Sequence, residues 1–103
     1  MTKRKRLNKK VAIKKVFEFI PQDQIDFHEL GILTSFDIEK YLNEFLEDSY
    51  ISKLERVLVI TGKGSVVRPK VMALLKSSKF VSKYKSAGYF NGQGGAFEVE
   101  LSN

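Results

Sequence analysis

Asp26-Phe27-His28 and Thr61-Gly62-Lys63-Gly64-Ser65 hold the residue types in this chain best suited to chemistry. Side chains two apart on an extended segment project from one face. The alternation in residues 24–28 therefore sets a carboxylate beside the only histidine, the side chain most often used as general acid or base. The second stretch is a different device. Glycines at 62 and 64 permit a tight turn and a close backbone approach to a ligand, and Lys63 and Arg68 bracket that turn with positive charge. Pro69 suits the start of a helix running to residue 76. Unpaired N–H groups where a turn enters a helix, together with the helix dipole, favour an anion. A phosphate is expected there, held by Thr61, Gly62, Lys63, Gly64, Ser65, Arg68 and Lys70. The chemistry implied is phosphodiester cleavage, with Asp26, His28 and Lys63 as the catalytic set. His28 would act as general acid or base, while Lys63 and the turn's N–H groups stabilise developing charge. Asp26 would orient His28, activate the nucleophile or help hold a metal. A single histidine excludes a two-histidine scheme. Asp26 and His28 are too few donors for a protein metal cage, so no metal ligands are assigned; magnesium or another divalent cation held partly by substrate phosphate stays open.

These residues need elements that bring them together. Val57-Leu58-Val59-Ile60 is an uninterrupted apolar run, β-branched at three of four positions, and suits a strand buried on both faces. Residues 24–28 read as an earlier strand, broken by Gly31. Thr34 or Ser35 then caps a helix with Asp37 in its first turn. Ile38, Tyr41, Leu42, Phe45 and Leu46 fall at helical spacing, with Glu39, Asn43, Glu44, Glu47 and Asp48 off that stripe. After the helix that follows the glycine turn, residues 80–89 read as a strand in which Val81, Lys83 and Lys85 alternate with Ser82, Tyr84 and Ser86. Residues 91–95 form a flexible glycine turn. Residues 96–101 alternate strictly, Phe97, Val99 and Leu101 inward and Glu98 and Glu100 outward. The order β-α-β-α-β-β predicts an α/β two-layer sandwich, a mixed four-stranded sheet with two covering helices. The first two strands should be parallel through a right-handed crossover, and the last two antiparallel. Both chemical stretches then sit at carboxyl ends of strands, where open α/β sheets bind ligands.

Composition bounds the partners. The 103 residues contain no cysteine, which excludes disulfides and thiolate metal sites. One domain over residues 21–103 is expected, preceded by a basic extension over residues 1–20. No apolar stretch reaches the length of a membrane span, and no export signal is evident, so a cytoplasmic monomer is expected. The net charge of +6 is segregated. Residues 1–15 carry eight Lys or Arg and no acid; residues 56–97 carry eight more, again without an acid. That layout favours a polyanion, most simply nucleic acid, with Lys3, Arg4, Lys5 and Arg6 of the tail joining the turn. Residues 1–10 predict no fixed structure without a partner. Ile13, Val16, Phe17 and Ile20 have helical spacing up to Pro21, although a strand also fits. A P-loop is excluded because neither Ser nor Thr follows Lys63 directly, and the dinucleotide fingerprint lacks its third glycine at Val67.

Ile25-Asp26-Phe27-His28, the turn Thr61-Gly62-Lys63-Gly64 with Arg68, and the closing Gly94-Gly95-Ala96-Phe97-Glu98-Val99-Glu100-Leu101 together resemble the Smr (small MutS-related) domain family, over about residues 24–101. Two departures stand out. Glu29 follows His28 where the family usually has glycine, and the link from His28 to Thr34 is longer than usual. The resemblance implies an α/β sandwich that binds DNA or RNA, and an endonuclease that nicks DNA or cuts RNA, in some members on messenger RNA at stalled ribosomes. It maps Asp26 and His28 onto the functional strand motif and Gly62, Lys63 and Gly64 onto the turn. Two other functions stay open: a non-catalytic module binding RNA, DNA or the ribosome through the same surface, and a protein-interaction domain whose tail meets an acidic partner. Neither reading needs a small-molecule cofactor. Tyr84, Tyr89 and Phe90 are the candidates for stacking on bases.

Overall fold

The computed structural model describes residues 19–102. The tail bearing Lys3, Arg4, Lys5 and Arg6, and the amphipathic reading of Ile13, Val16 and Phe17, lie outside the described residues. The elements are β1 (Asp23–Asp26), α1 (Ser35–Ile51), β2 (Arg56–Ile60), α2 (Val67–Ser77), β3 (Val81–Ser86) and β4 (Ala96–Leu101). The sheet runs in the order β1-β2-β4-β3. Strand β1 pairs parallel to β2, and β4 pairs antiparallel to both β2 and β3. Hence β1, β2 and β3 run the same way, and their carboxyl ends share one rim with the start of β4.

The expected two-layer sandwich is what forms. Val57, Val59, Phe97, Val99 and Leu101 line one face of the sheet and meet Ile38, Leu42 and Leu46 of α1 and Val71 and Leu75 of α2. Leu58, Ala87 and Ala96 form a smaller cluster on the opposite face, with Ile60 against it. Burial on both faces explains why β2 lacks the polar–apolar alternation of a half-exposed strand. Among the described residues no helix is long and apolar enough to cross a membrane.

Helix α1 begins where its sequence signal lies. The Thr34 hydroxyl accepts from the Asp37 N–H at 3.0 Å, and the Asp37 carboxylate accepts from the Thr34 N–H at 3.1 Å. Thr34→Ala leaves one of these orphan donors unsatisfied and should cost about 1 kcal/mol, read as a lower urea midpoint at unchanged slope.

Four local expectations are corrected. Strand β1 stops at Asp26, and Phe27–Leu30 form a 3-10 turn. Two forces end the strand: Asp26 Oδ1 accepts from the His28 N–H at 2.9 Å, and Phe27 is drawn into the main core. In β3, which ends at Ser86 rather than Tyr89, pairing advances from Val81↔Leu101 to Lys83↔Glu100, leaving Ser82 as a bulge. The extra residue flips the alternation, so Val81 and Tyr84 both pack on the main core while Lys83 and Lys85 are exposed. Helix α2 starts at Val67, so Pro69 is its third residue; an N–H there has no intrahelical partner in any case. Glu98 points away from the helices as its alternation requires, yet it is buried. Its Oε2 accepts from the Gly88 N–H at 2.9 Å and from Asn91 Nδ2 at 3.1 Å, while Lys85 stands 3.9 Å from Oε1. Such pairing is what a buried carboxylate requires, and here it organises the loop from β3 to β4.

Candidate functional site

The carboxyl rim carries three loops: residues 27–34 after β1, residues 61–66 after β2, and residues 87–95 between β3 and β4. They interlock through glycine. Gly62 has φ +76°, the left-handed region that suits glycine. A Cβ there would lie 3.3 Å from His28 Cδ2, so the bare backbone is the seat of the imidazole. On the other side, the Gly95 carbonyl accepts from the Thr61 N–H at 2.9 Å and the Gly62 N–H at 3.0 Å. A Cβ on Gly95 would approach Lys63 Cγ, and one on Gly94 would approach Lys63 Cε, each at 3.8 Å. The aliphatic stem of Lys63 thus lies along the 92–95 loop while its ammonium remains in solvent. His28, the 62–63 backbone and Gly94 therefore lie side by side, with Gly95 buried beneath them.

Within the turn the donors divide. The N–H groups of Thr61 and Gly62 are spent on Gly95, and the buried Thr61 hydroxyl donates to the Gly62 carbonyl at 2.6 Å. The N–H groups of Lys63, Gly64 and Ser65 take no hydrogen bond among the described residues, and Gly64 and Ser65 are exposed. Helix α2 follows, with neither a side-chain cap nor an acid in its first turn. Its positive end and these donors face the same solvent, a suitable place for an anion.

The remaining residues singled out in the sequence are placed differently. Asp26 accepts from the His28 backbone and makes no hydrogen bond to the imidazole among the described residues, so it fixes where His28 leaves the strand. Arg68 lies against β4, its guanidinium carbon 4.1 Å from the Phe97 ring centroid. Its Nη2 donates to Ser86 Oγ at 3.0 Å and its Nη1 to the Ala96 carbonyl at 3.5 Å. Lys70 stands 3.9 Å from Glu39 of α1. Tyr84 meets Phe97 edge-on at 6.0 Å in the core, whereas Tyr89 is exposed beside the glycine loop. Among the described residues no three His, Asp or Glu side chains are grouped to hold a metal ion. Glu98 and Gly95 are the contributors that alternation and composition missed. A glutamate in an alternating strand reads as solvent-facing, and only its opposite-face partners reveal otherwise.

A mixed four-stranded sheet under two helices, with a glycine turn and a histidine meeting at one rim, defines a class of compact α/β sandwich. The Smr domain family model matches residues 25–102, and the chain belongs to that family. It is 33% identical over 80 residues to endonuclease MutS2 of Acetivibrio thermocellus, covering 69% of this chain and 10% of that protein. It is 31% identical over 74 residues to endonuclease MutS2 of Clostridium kluyveri, covering 71% of this chain and 9% of that protein. The chain thus spans about a tenth of the length of the curated relatives it matches. The crystal structure of the Smr domain of Thermus thermophilus MutS2 superposes with TM-score 0.70 at 23% identity, over 79% of this chain and 99% of that one. YdaL, a stand-alone small MutS-related protein from Escherichia coli, superposes with TM-score 0.71 at 24% identity, over 99% of this chain and 82% of that one. Both share the fold.

Proposed function

We propose that this chain binds nucleic acid at its carboxyl rim and cleaves phosphodiester bonds in RNA or nicks DNA. One observation carries the reading: the imidazole of His28 is seated on Gly62, directly before exposed Lys63, and the N–H groups of Lys63, Gly64 and Ser65 take no hydrogen bond among the described residues. A backbone phosphate at those donors would lie within reach of His28. The imidazole would then move a proton at the attacking or leaving oxygen, while Lys63 and the N–H groups stabilise charge on the non-bridging oxygens. Asp26 acts through the backbone, as a positioning residue. Among the described residues no three His, Asp or Glu side chains are grouped as a metal cage, and one Asp26 oxygen is already engaged; no step is assigned to a metal. The test is incubation of the purified protein with labelled RNA and with supercoiled and linear duplex DNA, with and without magnesium. Discrete cleavage products are expected, and salt-sensitive binding without any product would overturn the nuclease assignment.

A second reading has its own support. Among the described residues the imidazole has no hydrogen bond to the carboxylate that commonly orients a catalytic histidine, which favours a non-catalytic module that binds RNA, DNA or the nucleic acid of a ribosome. Both readings place a phosphate on Lys63. Lys63→Ala should leave the unfolding midpoint unchanged, because the side chain is exposed. The slope of log affinity against log salt should become shallower, by about 0.9 on duplex DNA or about 0.7 on a single strand, since one phosphate fewer is neutralised. A slope that does not move means that no phosphate sits there.

A further inference from the structure

Among the described residues, the four large apolar side chains most open to solvent lie on the rim that carries the site, while Ile51, 66% exposed, stands at the C-terminal end of α1. Ile32 is fully exposed, Phe36 is 72% exposed and Val66 is 70% exposed, with Leu30 half-exposed beside His28. Leu30 and Ile32 belong to the link after His28, Phe36 to the first turn of α1, and Val66 to the turn leading into α2. Across the rim, Tyr89 is 78% exposed at the entrance to the glycine loop. Exposed apolar residues scattered singly need no explanation, whereas a concentration at one end of a small domain marks an interaction surface. The same rim holds the ammonium of Lys63 and open backbone donors.

We infer that these side chains are a platform for unpaired bases, and that the rim takes single-stranded nucleic acid in preference to duplex. The inference rests on the phosphate site proposed above and adds the strand type. A duplex hides its base faces in the stack and shows only edges in its grooves, so it offers these apolar side chains no face to stack on. A single strand offers base faces as well, and aromatic or apolar side chains next to a cationic track are the recurring means of holding them. Phe36, at the start of α1, and Tyr89, in the loop from β3 to β4, supply rings, while Leu30 and Ile32 after β1 and Val66 before α2 supply aliphatic surface. The basic segment at residues 1–15 attracts both strand types by charge and does not choose between them.

The test compares affinities by fluorescence anisotropy, using the full chain and labelled oligonucleotides checked intact afterwards. One set is a single strand, as RNA and as DNA; the other is a hairpin duplex of the same length and charge. The native chain should prefer the single strand by about tenfold or more, the scale of losing one stacked base. The double variant Ile32→Ser, Phe36→Ser should weaken single-strand binding by a similar factor, leave duplex binding unchanged and bring the ratio near one. Tyr89→Ser, made separately, should shift the ratio in the same direction, and circular dichroism confirms folding of each. A ratio that neither variant moves, or a preference for duplex, overturns the inference and leaves the apolar rim to a protein partner. If Lys63→Ala still weakens both strand types in that case, the phosphate site stands; if the native chain binds neither strand type, both readings fall.

Discussion

His28→Ala is expected to lower phosphodiester cleavage by roughly 10²–10⁴-fold, the usual worth of a positioned general acid or base, with no loss of stability. The two halves of that expectation come from one geometry. His28 is exposed on a 3-10 turn, and its ring contact is with the bare backbone of Gly62. Removing it opens no cavity in the core and strands no buried polar group, so the unfolding midpoint should hold. Nucleic-acid affinity should also hold, because Lys63 and the N–H groups of Lys63, Gly64 and Ser65 remain. Cleavage by the variant at the native rate would show that the imidazole moves no proton in the reaction. Glutamine at position 28 refines the test, since it keeps hydrogen-bonding capacity without general acid–base function. It should therefore be as inactive as alanine.

Much of this was legible in the chain because the strongest signals were also the locally determined ones. The apolar run Val57-Leu58-Val59-Ile60 and the capping pair Thr34 and Asp37 each depend on neighbours a few residues away. The parallel pairing of β1 with β2 and the antiparallel pairing of β3 with β4 followed from connection rules, whereas the insertion of β4 between β2 and β3 did not. What escaped the sequence was decided by contacts between segments far apart along it. The bulge at Ser82 exists because Val81 and Tyr84 both fit the main core, and no local pattern announces it. Glu98 is buried because the Gly88 and Asn91 donors come back over the sheet to meet it. Of the positive charges bracketing the turn, Lys63 stays open to solvent, whereas Arg68 is drawn onto an aromatic ring of the last strand. Charge and spacing alone gave these two cations the same role.

Phe97→Ala is expected to cost about 3–5 kcal/mol, the usual range for deleting a buried aromatic ring, out of a total of about 5–15 kcal/mol for a domain of this kind. The ring is almost wholly buried on a central strand, packs edge-on with Tyr84 and carries the Arg68 guanidinium on its face. Removing it opens a cavity between the sheet and both helices and withdraws the surface on which Arg68 rests. Arg68→Ala alone should cost about 1–2 kcal/mol, because it removes the cation–π interaction and the bonds to Ser86 and Ala96. In the Phe97→Ala background, the same Arg68 change should cost less, by about 0.5 kcal/mol or more, because the two side chains share one interaction. Urea unfolding of the four proteins of this cycle measures the coupling, and costs that add to within about 0.3–0.5 kcal/mol would mean that ring and guanidinium act independently. The cycle also separates the roles of the two cations. If Arg68 is chiefly a brace between α2 and β4, Arg68→Ala lowers stability and changes the salt slope of binding little. Lys63→Ala should do the reverse. An Arg68→Ala variant that keeps full stability and loses binding as Lys63→Ala does would place the guanidinium on the phosphate instead of on Phe97.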